Sequence, residues 1–364
     1  MQTTKSPRAL IVTCMRDEGP FILEWLAHHK AVGFSDFLIY SNDCDDGTDR
    51  MLDRLMDMGE ITHIPNPPMG KKTVQWQALT DAAKQPVMQE VDWIYGTDVD
   101  EFLNIKTGQG RLQDLFDASP ETTGFALAWR MFGNNGVESF QDASVTAQFT
   151  RCAPSGMLWP WRAIQFKCLY RNDGTYEKLG VHKPKKPNPI KEQQSVWRDG
   201  SGNPLPWHAP KGSTLIPTFA DQYELAQINH YALGSVENYL VKQMRGKPNH
   251  STDPIDLAYW IDRNFNDVKD DSISNTTALS APILSGYHAD PILSELHAAA
   301  VDWRYTQIRE LLLDSDAFYL YARAIQAGST QVLPQGTQRK LFNQLMQMRR
   351  RVMRDKAATA TGKI

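Results

Sequence analysis

Short apolar runs alternate with amphipathic stretches through the first hundred residues, and this alternation limits the folds open to the chain. Residues 9–14 read as a buried strand, 20–32 as a helix, 36–41 as a second strand and about 49–58 as a second helix. A short strand at 61–64, a third helix at about 73–84 and a fourth apolar run at 91–102 complete the series. The first helix carries Phe21, Leu23, Trp25, Leu26 and Ala27 on its apolar side, and Gly33 fits its stop. Regular β-α-β order predicts an α/β fold: a Rossmann-like, mostly parallel sheet with helices on both faces. There is no internal repeat.

The fourth apolar run carries the sharpest chemical signal, because it ends in Asp98, Asp100 and Glu101. An extended chain sends residues two apart to the same side. In open α/β sheets, ligands bind at the carboxyl ends of the strands. Two carboxylates there repel unless a cation joins them, and a hard divalent ion holding a diphosphate suits such a pair. The alternative is a surface acid pair. Asp-x-Asp also occurs at Asp43/Asp45 and Asp314/Asp316, but neither follows so apolar a run, and Asp314/Asp316 reads as a solvated turn that starts a helix.

Composition narrows the class. The 364 residues are 41% hydrophobic and 22% charged, ordinary for a globular protein with an ample core. A net charge of −3 gives no reason to expect nucleic acid as a partner. Cys14, Cys44, Cys152 and Cys168 lack metal-type or redox-type spacing and read as reduced thiols of a cytoplasmic protein. Residues 1–8 are polar, unlike a signal peptide, and no run approaches the ~20 apolar residues of a membrane span.

Beyond residue 100 the pattern loosens. Strands are expected at 124–129 and 166–170, and a loop at 133–136. Residues 182–210 are rich in proline, which predicts a long loop of the kind that forms lids or binding sites. A strand end at 228–231 leads into a helix from Val236 to about Arg245, with Ser235 as its cap. From about Pro291 the chain reads as helical. Its last helix sets Leu341, Leu345, Met348 and Val352 on one side and Arg339, Lys340, Arg349, Arg350, Arg351 and Arg354 on the other. That basic face is either simply solvated or a peripheral membrane contact.

Three strand ends share one rim in this arrangement: Thr13 to Gly19, Ser41 to Asp49, and Asp98 to Asp100. Acids at the first two suit ribose hydroxyls and the edge of a base. For Asp45 and Asp49, capping of the next helix is an equal alternative.

These segments resemble a known family. Met15 to Glu18, Glu24 to His29, Ile39 to Asp43 and Asp98 to Phe102 are similar to GT-A glycosyltransferases, in the branch related to families 2 and 92. Trp129 to Gly136, and Asn229-His230-Tyr231 with Ser235, Lys242, Arg245 and Gly246, resemble later motifs of that branch. The match runs over roughly residues 8–250, and Asp17 departs from the usual Asn. The resemblance implies a GT-A domain at 7–270 and a helical C-terminal extension at 271–364. It also implies a Mn2+ or Mg2+ ion, a nucleotide-sugar donor, a UDP-sugar by preference, and hexosyl transfer with inversion to a glycan or glycolipid acceptor in surface polysaccharide or glycoconjugate synthesis.

Carried over residue by residue, Asp100 would ligate the metal directly and Asp98 would approach both metal and sugar. Arg16, Glu18 and Asp43 would form the nucleoside pocket, flanked by Lys72 and Trp76. His230 and His182 are the candidates for a histidine metal ligand. Glu138 is the expected catalytic base, with Asp142 second. Trp129, Phe132 and Trp207 are assigned to the acceptor, and Trp159, Trp161 and Trp197 are further stacking candidates. The rival readings are an Asp-nucleophile phosphohydrolase, which would want its acid pair after the first strand, and a non-catalytic carbohydrate-binding protein.

Overall fold

A computed structural model of the protein describes residues 7–70, 72–206, 208, 214–246 and 255–360. Trp207, assigned above to the acceptor, lies outside the described residues. The centre is a ten-stranded sheet. Its strands are β1 (Ala9–Met15), β2 (Asp36–Ser41), β3 (Thr62–Pro65), β4 (Trp93–Gly96), β5 (Glu101–Ile105), β6 (Gly124–Met131), β7 (Phe166–Arg171), β8 (Trp197–Asp199), β9 (Pro204–Leu205) and β10 (Ala226–His230). The order across the sheet is β9-β8-β6-β7-β4-β1-β2-β3, with β10 joining β6 to β5.

The expected parallel block is present: β4, β1, β2 and β3 run parallel. Beyond it, β7 lies antiparallel between β4 and β6. Strand β6 then forks. Its first residues, Gly124 to Ala126, pair in parallel with β8, whereas Trp129 to Met131 pair in parallel with β10.

Burial on both faces explains why the strands read as continuous apolar runs. Ala9 and Ile11 enter one core with Trp25, Leu26 and Ala27 of the helix Gly19–Val32. Leu10 and Val12 enter the other with Ala78, Leu79 and Ala82 of the helix Val74–Ala82. Gly33 closes the first helix at φ +113°, the left-handed cap that glycine adopts at least cost. The helices Ser274–Ala289 and Pro291–Leu311 share the first core through Tyr287, Leu293 and Ala300. At Gly19 there is no room for a side chain, since a Cβ would lie 2.5 Å from that of Ala300.

Two expectations change. Residues 91–102 form two strands rather than one, separated by a turn that Glu101 N closes onto the Asp98 carbonyl at 3.1 Å. Asp98 and Asp100 therefore owe their common direction to a turn, not to strand alternation. The proline-rich 182–210 segment is also more than a loop: it contains the helix Pro189–Gln193 and supplies β8 and β9. Trp197 is buried there, 2% exposed, and so is unavailable to an acceptor. Its ring lies over Gly124, where a Cβ would meet it at 2.6 Å.

No described helix is long and apolar enough to cross a membrane. The terminal helix Gln335–Ala360 anchors its first turns instead. Phe342 and Met346 pack on Leu158, Ile164 and Leu215, and Gln338 accepts the Leu158 and Trp159 amides at 2.8 and 3.1 Å. Met348, Val352 and Met353 further along are exposed. A Gly124→Ala variant should lose about 1–3 kcal/mol in chemical denaturation, because the indole of Trp197 must move; unchanged stability would contradict this packing.

Candidate active site

The site is built on the turn between β4 and β5. Glu101 opens β5 and is fully buried. Its Oε2 accepts Thr97 Oγ1 at 2.9 Å and the Asp98 amide at 3.2 Å, which fixes the turn. Lys167 reaches up from β7 with its stem buried. Its ammonium lies 2.8 Å from Asp98 and 3.3 Å from Glu101. Burial, with Asp98 and Asp100 nearby, pushes the Glu101 carboxyl up to about 8 against the pull of Lys167. Burial would also raise Asp98, but Lys167 holds it below its ordinary value. A single ammonium between two carboxylates thus leaves the charge on Asp98 and the proton on Glu101.

Asp100 is held from the other side. In register, His230 at the end of β10 pairs with Glu101. The next amide, Tyr231 N, donates to the Asp100 carbonyl at 2.8 Å. The helix Val236–Arg245, capped by Ser235 as expected, brings Lys242 Nζ to 2.5 Å from Asp100 Oδ2. His230 Nε2 stands 3.6 Å from the same oxygen. Against the cost of burial, Lys242 and His230 keep Asp100 well below the usual carboxylate range. Three residues beyond Lys242, on the same helix face, Arg245 pairs with Glu18 at 2.6 Å and donates to the Arg16 carbonyl at 2.5 Å. Arg304, fully buried and from the helix Pro291–Leu311, donates to the Asp17 carbonyl at 2.5 Å and to Asn238 at 2.7 Å. Asp17 is itself buried, in a left-handed conformation at φ +52°, and accepts the Asp45 amide at 2.7 Å.

This network opens on a cavity of about 690 Å3, which Lys242 and Arg245 line. Arg16, Glu18, Asp43, Asp98, Asp100, Trp129, His182 and His230 all line it, so the three strand ends do share one rim. Trp129 stands between the two histidines, its ring centroid 4.5 Å from that of His230 and 5.4 Å from that of His182. His182 Nδ1 lies 3.2 Å from the Phe166 carbonyl, which assigns the proton to Nδ1 and leaves Nε2 as the acceptor. Burial, then Lys167, pushes His182 down to about 4, so it is neutral at pH 7.

Trp161, a stacking candidate, lines the cavity too, whereas Trp76, Lys72, Phe132, Glu138 and Asp142 do not. Trp76 is one position past Gln75, which does line it; a 100° helical step turns the indole away, under Lys185 Nζ at 3.9 Å. Lys72 is exposed before that helix. Phe132 is buried against Tyr231, with centroids 4.8 Å apart. Glu138 is exposed, in a loop pinned to the Val236–Arg245 helix through its carbonyl, which accepts Glu237 N at 3.0 Å. Asp142 is drawn off to His297 at 3.0 Å.

Glu24 belongs to the stretch that carried the resemblance, yet its carboxylate has a structural task. It accepts Ser144 Oγ at 2.6 Å, Val145 N at 2.7 Å, Thr146 N at 3.2 Å and Thr146 Oγ1 at 2.9 Å, capping the short helix Val145–Gln148. Sequence reasoning missed Lys167, Asp262 and Arg304. Nothing local marks a lysine in a strand or an arginine in a distant helix as part of a rim.

The donor set fits a divalent cation. One ligand atom each from Asp100, Glu101 and His230 lie within 4.8 Å of one another. Lys242 and His230 both address Oδ2 of Asp100, and Lys167 addresses Oδ2 of Asp98, which leaves each Oδ1 for a ligand. Carboxylate oxygens suit Mn2+ or Mg2+, and an imidazole would favour the transition metal of the two. Glu101, protonated and bonded inward, orients its neighbours instead. Glu24→Gln should lower stability by about 1–3 kcal/mol and leave nucleotide affinity unchanged; weakened nucleotide binding with full stability would return Glu24 to the site.

Residues 11–197 match the model of Glycosyltransferase family 92. A glycosyltransferase family 92 protein of Oryza sativa subsp. japonica is 26% identical over 151 residues, 40% of this chain and 25% of that protein. One from Ricinus communis is 22% identical over 147 residues, 38% of this chain and 25% of its own length. The chain spans about a quarter of the length of these curated relatives. Among solved structures, S. aureus TarS 1-349 is 13% identical with a TM-score of 0.32, covering 88% of each chain. TarS 1-349 in complex with UDP-GlcNAc is 15% identical with a TM-score of 0.27, covering 45% of each. The family match extends over just more than half of the 364 residues, and the chain belongs to glycosyltransferase family 92.

Proposed function

We propose that this protein is a metal-dependent glycosyltransferase that moves a hexose from a nucleoside diphosphate sugar, UDP-linked by preference, to a hydroxyl of a glycan or glycoconjugate with inversion. The observation that carries this reading is that Asp98, Asp100 and His230 line one 690 Å3 cavity together with Arg16, Glu18, Asp43 and Trp129. Arg16, Glu18 and Asp43 would take the nucleoside. Asp98, Asp100 and His230 would hold the metal, with His182 as an additional imidazole. The ion, when bound, would act as a Lewis acid toward the departing diphosphate.

The chain's own groups support the same charge flow. Lys242 and Arg245 stand beside the carboxylates and add positive charge where the leaving diphosphate gathers negative charge. Trp129 presents an apolar face toward the sugar, and the water-poor wall strengthens these interactions. The attacking hydroxyl needs a proton acceptor inside the cavity. Glu138 and Asp142 point elsewhere. Of the lining carboxylates, Asp262 is the one at the Trp161 and Arg162 end, 4.0 Å from Arg162 Nε. Burial raises its carboxyl above the ordinary value, the direction a general base requires. Inversion follows if the acceptor enters from that end.

Thermal denaturation with UDP should show a rise in Tm that grows when Mn2+ is added. Asp100→Ala should remove the metal-dependent part while the apo protein stays folded; a full metal-dependent shift in that variant would refute the assignment. Asp262→Asn should lower transfer by ~10²–10⁴-fold with unchanged UDP binding. The wild-type rate should fall as pH drops through the raised Asp262 value, and this limb should vanish in the variant. A variant with a wild-type rate and pH profile would exclude Asp262 as the base.

A further inference from the structure

Strands β6 and β7 meet at the cavity in a pair of side chains whose polar atoms the fold leaves unused. In their antiparallel register Leu127 faces Lys167 and Ala128 faces Phe166. The next pair, closed by the Trp129 amide on the Gln165 carbonyl at 2.9 Å, is Trp129 and Gln165. Residues opposite each other on antiparallel strands share a face. Gln165 also shares its face with Lys167, two residues on and about 7 Å along the chain. That is the face from which Lys167 reaches Asp98 at 2.8 Å. Because β7 runs antiparallel to β4, the start of β7 lies at the end where β4 turns into the Asp98 loop. Gln165 and Trp129 both line the cavity there, with His182 and His230 against the indole.

The backbone of this pair is fixed. Gln165 N donates to the Arg162 carbonyl at 3.1 Å, and the Trp129 carbonyl accepts Tyr223 Oη at 2.9 Å. The side chain of Gln165 has no such employment. The residue is 6% exposed, yet its Oε1 is buried without a hydrogen-bond partner. Its Nε2 makes no hydrogen bond among the described residues, and it is the carboxamide atom left open to the cavity. Even the indole N–H of Trp129, the donor across from it, does not reach Oε1 and is itself without a partner. An unpaired buried polar atom costs about 1–3 kcal/mol, which an apolar side chain at 165 would avoid. A few polar groups held in place on a cavity wall, and bonded to nothing else, are what orient a ligand there.

We propose that Gln165 selects the transferred sugar, its carboxamide reading a neutral polar substituent of that sugar, a ring hydroxyl or an acetamido group, while the sugar lies against Trp129. The proposal deepens the glycosyltransferase reading and rests on it in taking the Asp98 end as the donor end and the Asp262 end as the acceptor end. Gln165 stands between the two. Lys167, on one side of it in the chain, holds Asp98, and Arg162, whose carbonyl takes its amide, follows Trp161 on the other. A carboxamide both donates and accepts, and a half-turn about its last bond exchanges the two roles, so it can pair with a hydroxyl or with another amide. It carries no charge and therefore discriminates by matching hydrogen bonds. A sugar without the matching group leaves the carboxamide unpaired in the complex, the form of mismatch that a polar site rejects most strongly.

The test is calorimetric titration of the full chain, with Mn2+ present, by UDP, UDP-glucose, UDP-galactose and UDP-N-acetylglucosamine. It compares the wild type with Gln165→Met, which keeps the length of the side chain and removes the amide. The variant should bind at least one UDP-sugar roughly three- to tenfold more weakly, as loss of one neutral hydrogen bond requires, with UDP affinity unchanged. A loss on UDP-glucose or UDP-galactose assigns the group as a hydroxyl, and a loss confined to UDP-N-acetylglucosamine assigns it as the acetamido group. The apo Tm of the variant should be equal to that of the wild type or higher, because the carboxamide has no partner to lose. A lower apo Tm, or a variant that does not fold, would make Gln165 a structural residue and overturn the proposal. So would equal weakening of UDP and the UDP-sugars, which would give Gln165 to the nucleotide. Where UDP binds, absent or unaltered binding of all three UDP-sugars refutes this proposal alone. A wild type that binds none of the four refutes the donor reading, and this proposal with it.

Discussion

Carboxylates can crowd one tight turn only if positive charge is built in beneath them. Lys167 does this from below Asp98 and Glu101, and Lys242 does it from beside Asp100. Neither lysine could hold that place on a mobile chain. One is locked into the antiparallel strand between β4 and β6, and the other into a helix whose first turn is capped by Ser235. The strand order of the sheet therefore has an electrostatic purpose as well as a packing one. Inserting β7 beside β4 delivers the ammonium on which the turn depends.

The rim draws on parts of the chain far apart in sequence. Glu18 from the first loop, Lys242 and Arg245 from a helix two hundred residues later, and Arg304 from the C-terminal helices form one connected buried network. The absence of a side chain at Gly19 lets the Pro291–Leu311 helix approach closely enough for Arg304 to reach Asp17. The 271–364 segment, read from sequence as an extension, thus supplies part of the support for the loop from Arg16 to Glu18 and shares the core of the sheet.

Local pattern made much of this legible. Continuous apolar runs announced strands buried on both faces, and Gly33 and Ser235 marked helix ends where the structure has them. Asp98, Asp100, His182 and His230 were legible because a carboxylate pair closing an apolar run is unusual, and because the histidines stand just past strand-like segments. What was not legible depends on long-range pairing. The fork of β6 and the entry of Trp197 into the sheet follow from which strands meet, and prolines masked the second. The direction of Trp76 turned on a single helical step, and Glu138 on a carbonyl bond that fixes its loop. Asp262 and Arg263 follow a short helix of five residues, too brief to leave a periodic signal.

The fork of β6 has a mechanical corollary. One continuous strand carries Gly124 under the Trp197 ring at its beginning, Trp129 beside the cavity, and Met131 in register with His230 at its end. Arg130, between them, is anchored in the interior by Asp270 at 2.7 Å and by the Ala153 carbonyl at 3.2 Å. Such a strand cannot slide or tilt at one end alone. The aromatic wall of the cavity and the imidazole beside the carboxylates must shift as a unit or hold still together, so that the spacing between Trp129 and His230 is set by one backbone.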